Sequence, residues 1–210
     1  MRLSNILGIS IAVVALTLTA CGGGGEVEVK DYSKEVDAGK ITGQTYTCEE
    51  LGWTMDFPET WTITKKSSLE AADKLSKANY DTDSVNTSGI KRLFAFQKDF
   101  DNHFQSTMEP LGSNDYKTVI RGLKDQLFAN YFDQHINADT SSSQLNIDGL
   151  TFDCIQIKLF DRNGKQYAKQ QLFTRVIGGQ YFNAIITSTN DKDHERILTE
   201  FKQSKFTKKD

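Results

Sequence analysis

The segment 181–188 constrains the fold most, because it is apolar at both of the alternating positions of a strand. Tyr181 and Ile185 fall on one parity, and Phe182 and Ile186 fall on the other. Successive side chains of a strand point to opposite faces of the sheet, so a strand of this kind is buried on both sides. We therefore predict that it lies at the centre of a sheet with both faces covered.

Alternating apolar residues and turn pairs predict further strands in the rest of the chain. Asp148-Gly149 and Asn163-Gly164 are typical β-hairpin turn pairs, because these residues tolerate a positive φ. Pro58 ends a strand because it cannot donate a backbone hydrogen bond. In chain order, the predicted strands are 45–49, 53–57, 91–98, 103–109, 150–161, 166–176 and 181–188.

Two helices are predicted in the first two thirds of the chain. A capping box that begins at Ser67 favours a helix over 67–79. Residues 115–135 carry apolar side chains at 3.6-residue spacing, which predicts a second helix with one buried side. Asp115 and His135 suit the positive and negative ends of that helix. His135 is therefore interpreted as a helix-end residue rather than a ligand.

A third helix is predicted after Asn190, which has the residue type of a helix cap. Its apolar stripe consists of His194, Ile197, Leu198 and Phe201. His194 is accordingly expected at the edge of the core. Helices on both sides of a mostly antiparallel sheet account for the whole pattern, so the predicted fold class is α+β, an α/β/α sandwich.

Two local motifs accompany this order of elements. The first, GWTMDFPETW at 52–61, is an aromatic strand that runs into Pro-x-x-Trp. The second is Gly178-Gly179-Gln180-Tyr181 before a strand, followed by a helix and a closing Phe206. Over residues 46–206 these features resemble the PsbP-like superfamily, which includes the Ran-binding Mog proteins. The resemblance implies an α/β/α sandwich and assigns both motifs a structural role, in a corner and in a turn.

The first twenty residues have the pattern of a secretory signal peptide, with Arg2, an apolar run over 6–18 and small residues up to Ala20. The run is about 13 residues long, whereas a membrane-spanning helix needs roughly 20. Residues 18–21, Leu-Thr-Ala-Cys, resemble the lipobox of bacterial lipoproteins. This implies removal of residues 1–20 and a diacylglyceryl and palmitate anchor on Cys21. The alternative is an ordinary secreted protein whose cysteine happens to lie at the cleavage point.

Residues 21–43 are predicted to be the acylated cysteine and a flexible tether, because they are glycine-rich at first and then mixed in charge without a lasting period. The globular domain is then 44–210. Val27 and Val29 alternate with glutamates, so a short strand that docks on a partner is an alternative for that stretch. Gly22 in place of Asp resembles the sorting pattern of outer-membrane lipoproteins, which favours the outer membrane for this exported protein and leaves the leaflet open.

Candidate chemical residues are few. Asp99, Asp101 and His103, with Asn102 and Glu109 nearby, alternate along one side of a strand-like segment and would offer ligands to a divalent cation. The same residues also fit an ordinary solvated face, and no further motif completes a site. We therefore predict no metal.

The two remaining cysteines, Cys48 and Cys154, each share a strand parity with apolar residues. A disulfide would require matching register on neighbouring strands, so we predict two buried free thiols. Ser84, in an Asp-Ser-Val sequence, matches an O-glycan acceptor pattern of Bacteroidetes. A pattern this short also arises by chance.

The chain has 25 Lys and Arg residues against 28 Asp and Glu residues and no basic block, so a nucleic-acid partner is not expected. It also lacks the sequence motifs of serine hydrolases, zinc proteases and phosphate-binding loops, which argues against an enzyme and against a cofactor. We predict a non-enzymatic binding or accessory module for an envelope partner. The alternative is a small-ligand or lipid carrier. A carrier should show an apolar cavity, whereas a binding module should show exposed aromatic residues on a closed core.

Overall fold

The structure is a computed structural model that describes residues 39–65, 67–68, 91–110 and 115–207. The predicted signal peptide, Cys21 and residues 22–38 of the predicted tether lie outside this range. Ser67 and Ser68 are helical, as predicted. The remainder of that predicted helix and Ser84 also lie outside the described residues.

Eleven strands and two helices follow one another in this part of the chain. In chain order they are β1 (Lys40–Thr42), β2 (Thr45–Cys48), β3 (Trp53–Asp56), β4 (Thr62–Ile63), β5 (Lys91–Asp99), β6 (Asn102–Pro110), α1 (Tyr116–Asp133), β7 (Asn137–Ile147), β8 (Leu150–Phe160), β9 (Gln166–Ile177), β10 (Gln180–Ser188), α2 (Asp191–Lys202) and β11 (Lys205–Phe206).

A seven-stranded antiparallel sheet forms the middle layer, in the order β4-β5-β6-β10-β9-β8-β7. β10 is the central strand, and all of its residues after Gln180 are buried. This confirms the prediction made from its two apolar parities. The turn between β7 and β8 places Asp148 at φ 51° and Gly149 at φ 84°, as expected for a two-residue hairpin.

A second antiparallel sheet of four strands has the order β1-β2-β3-β11. Within the described residues, paired structure therefore begins at Lys40, which lies in the range predicted to be a tether, so the predicted boundary at residue 44 is too late. β1 is only three residues long, so it shows no alternation that sequence reasoning could detect. It pairs with β2 through a turn in which Gly43 has φ 60°.

The larger hydrophobic core lies between the two sheets and α2 and is rich in aromatic rings. The ring of Trp53 packs edge-on against Phe182 at a centroid distance of 5.1 Å and stacks on Phe206 at 6.1 Å. A smaller core lies on the opposite face of the seven-stranded sheet, beneath α1, and includes Leu123 and Tyr131. With helices on both faces, the predicted α/β/α sandwich is confirmed.

β7 has no counterpart among the strands predicted from sequence, although its turn with β8 was predicted. Its sequence NADTSSSQLNI is polar over most of its length, because it is the last strand of the sheet and most of its side chains are exposed. Neither of the described helices combines the length and the apolar character needed to cross a membrane.

Candidate binding surface

Two large aromatic side chains of α1 are exposed to solvent. Phe128 is 47% exposed and Phe132 is 71% exposed. They are four residues apart, so they lie one turn above the other on the same side of the helix. We name this pair the α1 aromatic face. Leu123, on the opposite side of the helix, and Tyr131, beside the pair, are buried against the sheet.

Both ends of α1 are fixed. At the start, the carboxylate of Asp115 accepts hydrogen bonds from the backbone N–H groups of Lys117 and Thr118, at 3.0 and 3.1 Å. Asp115 therefore lies at the positive end of the helix, as its charge predicted, and it also caps that end. At the other end, His135 has φ 56° and its backbone N–H donates to the carbonyl of Phe132 at 2.9 Å. His135 thus ends the helix in the left-handed conformation that glycine usually supplies.

Two tyrosines attach α1 to the sheet. The hydroxyl of Tyr116 donates to the backbone carbonyl of Thr174 on β9 at 2.9 Å. The hydroxyl of Tyr131 donates to the side-chain oxygen of Gln170 on the same strand at 2.5 Å. These two bonds fix how α1 is rotated about its own axis relative to the sheet, and the α1 aromatic face is therefore kept on the solvent side.

The larger core, on the face of the seven-stranded sheet opposite to α1, is closed by tightly packed rings. Phe104, Phe182 and Phe201 are fully buried, and the ring centroids of Phe104 and Phe201 are 5.7 Å apart. An open cleft of about 660 Å³ lies elsewhere, between the 58–61 corner and α2. Six of its lining residues are ionisable and of both signs, namely Glu59, Lys98, Lys192, Asp193, Glu195 and Arg196. A cleft of that kind differs from the apolar cavity expected of a lipid carrier.

A buried polar cluster lies on the face of the seven-stranded sheet that α1 covers in part. Glu109 is opposite Tyr181, and Thr107 is opposite Asn183, in the register of β6 and β10. The amide nitrogen of Asn183 donates to a carboxyl oxygen of Glu109 at 3.3 Å. Among the residues that the structure describes, the buried hydroxyls of Thr107 and Tyr181 and the buried amide oxygen of Asn183 have no hydrogen-bond partner.

Glu109 and Tyr181 are the ionisable members of this buried polar cluster. Burial raises the pKa of Glu109 to about 7, and the hydrogen bond from Asn183 opposes this change. Burial also raises the pKa of Tyr181 well above its ordinary value. In the sequence, Glu109 was considered only as a neighbour of a candidate metal site. No local pattern predicts the cluster, because the sequence of β10 is mostly apolar.

A second buried network surrounds His194. Its Nδ1 atom is 2.8 Å from the hydroxyl of Ser188, and its Nε2 atom is 2.7 Å from the side-chain oxygen of Gln171. The ring is fully buried. Burial, with a contribution from the nearby Lys169 ammonium, lowers the pKa of His194 to about 4. His194 therefore lies on the inward side of α2, as predicted, but deeper in the interior than the core edge.

The sequence suggested that Asp99, Asp101 and His103 alternate along one side of a strand, and this prediction is wrong. Residues 99–102 form the turn between β5 and β6. One carboxylate oxygen of Asp99 accepts hydrogen bonds from the backbone N–H groups of Asp101 and Asn102 and from the side-chain amide of Asn102. That oxygen stabilises the turn. Within the described ranges, no three His, Cys, Asp or Glu side chains are arranged to hold a metal ion.

Cys48 and Cys154 are both buried in the larger core, and no disulfide joins them to each other. Burial raises the pKa of Cys154, which disfavours the reactive thiolate. The two motifs singled out from sequence occupy a corner and a turn, since the N–H of Trp61 donates to the carbonyl of Pro58 at 3.0 Å and Gly178 has φ 57°.

No family model matches the chain, and no curated protein sequence matches it significantly. Among solved structures, it is similar to the solution structure of cyanobacterial PsbP (CyanoP) from Synechocystis sp. PCC 6803. The TM-score is 0.51 at 13% sequence identity, and the alignment covers 90% of this chain and 98% of that chain. A likeness at this identity concerns the architecture alone. The chain therefore has a PsbP-like α/β/α fold.

Proposed function

We propose that this chain is an exported lipoprotein, anchored through Cys21 in the outer membrane, whose PsbP-like domain is a non-enzymatic binding module for an envelope protein. The observation that carries the binding role is the α1 aromatic face on a closed core. Exposed aromatic pairs of this kind are uncommon on surfaces without a partner and are enriched at the energetic centres of interfaces.

The charges beside the aromatic face favour a particular kind of partner. Lys117 and Arg121 are exposed and fall on the same side of α1 as Phe128 and Phe132, about three and two turns before Phe128. The exposed Asp125 lies between the two cations and the rings. A complementary partner surface would offer an apolar pocket for two phenyl rings with acidic groups at one end. The resemblance to accessory proteins of the PsbP-like superfamily is consistent with a role without catalysis.

A site-specific crosslinking experiment tests the binding role. A photo-crosslinking amino acid is introduced at Phe132 in the producing cells, and adducts are compared with those from Phe100, which is 56% exposed in the β5–β6 turn and serves as the matched control. We expect one protein adduct from position 132 that is lost in Phe128→Ser. Equal adducts from positions 132 and 100, or none from position 132, would contradict the proposed surface.

The anchor is tested separately by metabolic labelling with a radioactive fatty acid. Cys21→Ser should abolish the label and leave an uncleaved or soluble precursor, because the acylated sulfur is missing. Label retained in the variant would refute the lipoprotein assignment, whatever the outcome at position 132.

The buried polar cluster favours the alternative function, that of a carrier for a small polar ligand. Unpartnered hydroxyl and amide groups of Thr107, Tyr181 and Asn183 have the hydrogen-bonding capacity that such a ligand requires. Native mass spectrometry of the protein purified from its own membranes tests this role. A bound small molecule that is lost in Asn183→Leu would favour the carrier, and an unliganded mass would exclude it.

A further inference from the structure

The outermost strand of the seven-stranded sheet is a long open edge. β7 pairs with β8 along all of its 11 residues without a register shift, and in the described part of the chain nothing pairs with its other side. Natural sheets protect such edges with lysine, proline, bulges or covering elements. β7 contains neither lysine nor proline, and its single charged residue is Asp139.

The backbone groups that β7 presents outward follow from its hairpin. Ile147 and Leu150 flank the two-residue turn, so they form a pair that exchanges hydrogen bonds. Counting back from Ile147, every second residue of β7 forms backbone hydrogen bonds with β8. The residues between them point their backbone N–H and C=O groups away from β8. The outward residues are therefore Ala138, Thr140, Ser142, Gln144 and Asn146.

We propose that β7 is a dimerisation edge on which a second copy of this chain adds its own β7, antiparallel, about a two-fold axis through Ser142. Ser142 is the middle member of the outward set, so this axis pairs every outward residue with an outward residue. Two hydrogen bonds per pair give roughly ten backbone hydrogen bonds across the interface. The seven-stranded sheets of the two subunits then become one continuous sheet.

The side chains of β7 agree with this two-fold register. Thr140 lies opposite Gln144 of the partner subunit, and Ser141 lies opposite Ser143 of the partner subunit. Asp139 lies opposite Leu145 of the partner subunit, so the two carboxylates are kept apart and no like charges face each other. An edge that is complementary to itself fits a second copy, because a two-fold interface uses the same patch twice.

The interface is small, since it consists mainly of one strand pair, and we expect a weak, concentration-dependent dimer. Its role is independent of the proposed function, because it uses neither the α1 aromatic face nor the lipid anchor. The first test is sedimentation equilibrium of the unlipidated chain 22–210 from about 1 µM to 1 mM. Ser142→Pro removes one outward N–H at an edge position that tolerates proline, and Ser142→Ala is the matched control.

We expect Ser142→Pro to raise the dimer dissociation constant about tenfold or more and Ser142→Ala to leave it within about twofold. The urea midpoint of both variants should stay near that of the wild type, because residue 142 makes no backbone bond to β8. A wild type that remains monomeric at all concentrations, or a proline variant that dimerises as tightly, would overturn the proposal.

The second test reads the register directly. In a hydrogen-bonded antiparallel pair the opposed Cα atoms are about 5.5 Å apart, within the range that a disulfide spans. Ser142→Cys should therefore form a covalent dimer under mild oxidation. Ser141→Cys should not form a covalent dimer, because position 141 lies opposite position 143 of the partner subunit and the two thiols would be about two residues apart along the strands. The wild type controls for Cys48 and Cys154, which are buried. Equal crosslinking of the two variants, or capture of a different protein alone, would refute the two-fold edge.

Discussion

Two ionisable groups, Glu109, which is partly buried, and His194, which is fully buried, should give the domain opposite pH dependences that offset each other. The folded state raises the pKa of Glu109 from 4.5 to about 7 and lowers the pKa of His194 from 6.5 to about 4. Whichever state binds more protons gains stability as the pH falls. The two groups therefore contribute slopes of opposite sign in the window from about 4.5 to 6.5.

The sign for each group follows from proton binding. Between pH 4.5 and 7 the folded state keeps the Glu109 proton and the unfolded state loses it, so this contribution to stability is present at low pH and is lost as the pH rises through 7. Between pH 4 and 6.5 the unfolded state binds the His194 proton and the folded state does not. That contribution is present above pH 6.5 and is lost as the pH falls.

The magnitudes are similar. For Glu109 the pKa is about 7 in the folded state and 4.5 in the unfolded state. At about 1.36 kcal/mol per pKa unit, this difference corresponds to about 3 kcal/mol. For His194 the difference between 6.5 and about 4 also corresponds to about 3 kcal/mol. The free energy of unfolding of the wild type should thus vary less across the shared window than either group alone would require.

Single variants should separate the two contributions. Urea unfolding of the chain 22–210, followed by tryptophan fluorescence at pH 4.5, 5.5, 6.5 and 8, gives the free energy of unfolding at each pH. Glu109→Gln should gain about 3 kcal/mol relative to the wild type between pH 4.5 and 8. His194→Gln should lose about 3 kcal/mol relative to the wild type over the same rise.

The comparison of each variant with the wild type cancels every other titrating group. Glu195→Gln, at an exposed position of α2, is the matched control for the isosteric change at Glu109. If the free energies of Glu109→Gln and the wild type run parallel from pH 4.5 to 8, Glu109 is not held uncharged by burial, and the buried polar cluster has been misjudged.

Three further predictions concern stability and thiol chemistry. Phe206→Ala should destabilise the domain by about 3 to 5 kcal/mol in urea unfolding, because the ring is fully buried in the larger core, whereas Phe100→Ala at an exposed position should cost well under 1 kcal/mol; equal costs would be inconsistent with the packing. Asn190→Ala should cost about 1 kcal/mol, because its side chain accepts the backbone N–H of Asp193 at 2.9 Å, and an unchanged urea midpoint would contradict that cap. Thiol titration of the unreduced chain 22–210 should detect Cys48 and Cys154 only after denaturation, and an absence of reactive thiols in denaturant would mean that they are bridged.

Local patterns predicted most of the large sheet and both described helices. The turn pair Asp148-Gly149 fixes its hairpin through two positive φ angles, and the double apolar parity of β10 fixes its central place. Such features depend on residues close together in the chain. The α1 aromatic face was also detectable, since Phe128 and Phe132 fall outside the apolar stripe of that helix.

The remainder depends on pairings between distant residues, which periodicity does not report. β1 and β11 are three and two residues long, and they become strands because β2 and β3 supply hydrogen-bond partners. The unusual pKa of Glu109 likewise arises only when β6 is placed beside β10. The polar strand β7 resembled a loop in sequence, because an edge strand need not alternate.

The pairing of β3 with β11 affects the order in which the molecule can be completed. Trp53 pairs with Phe206, and the hydroxyl of Thr207 donates to the carbonyl of Gly52 across 155 positions of sequence. Contacts between such distant positions form slowly, because a long loop must close first. During synthesis, a chain that stops before Lys205 leaves one side of the Trp53 ring without its stacking partner. The four-stranded sheet is therefore completed late in synthesis, because its strand β11 lies at the end of the described residues.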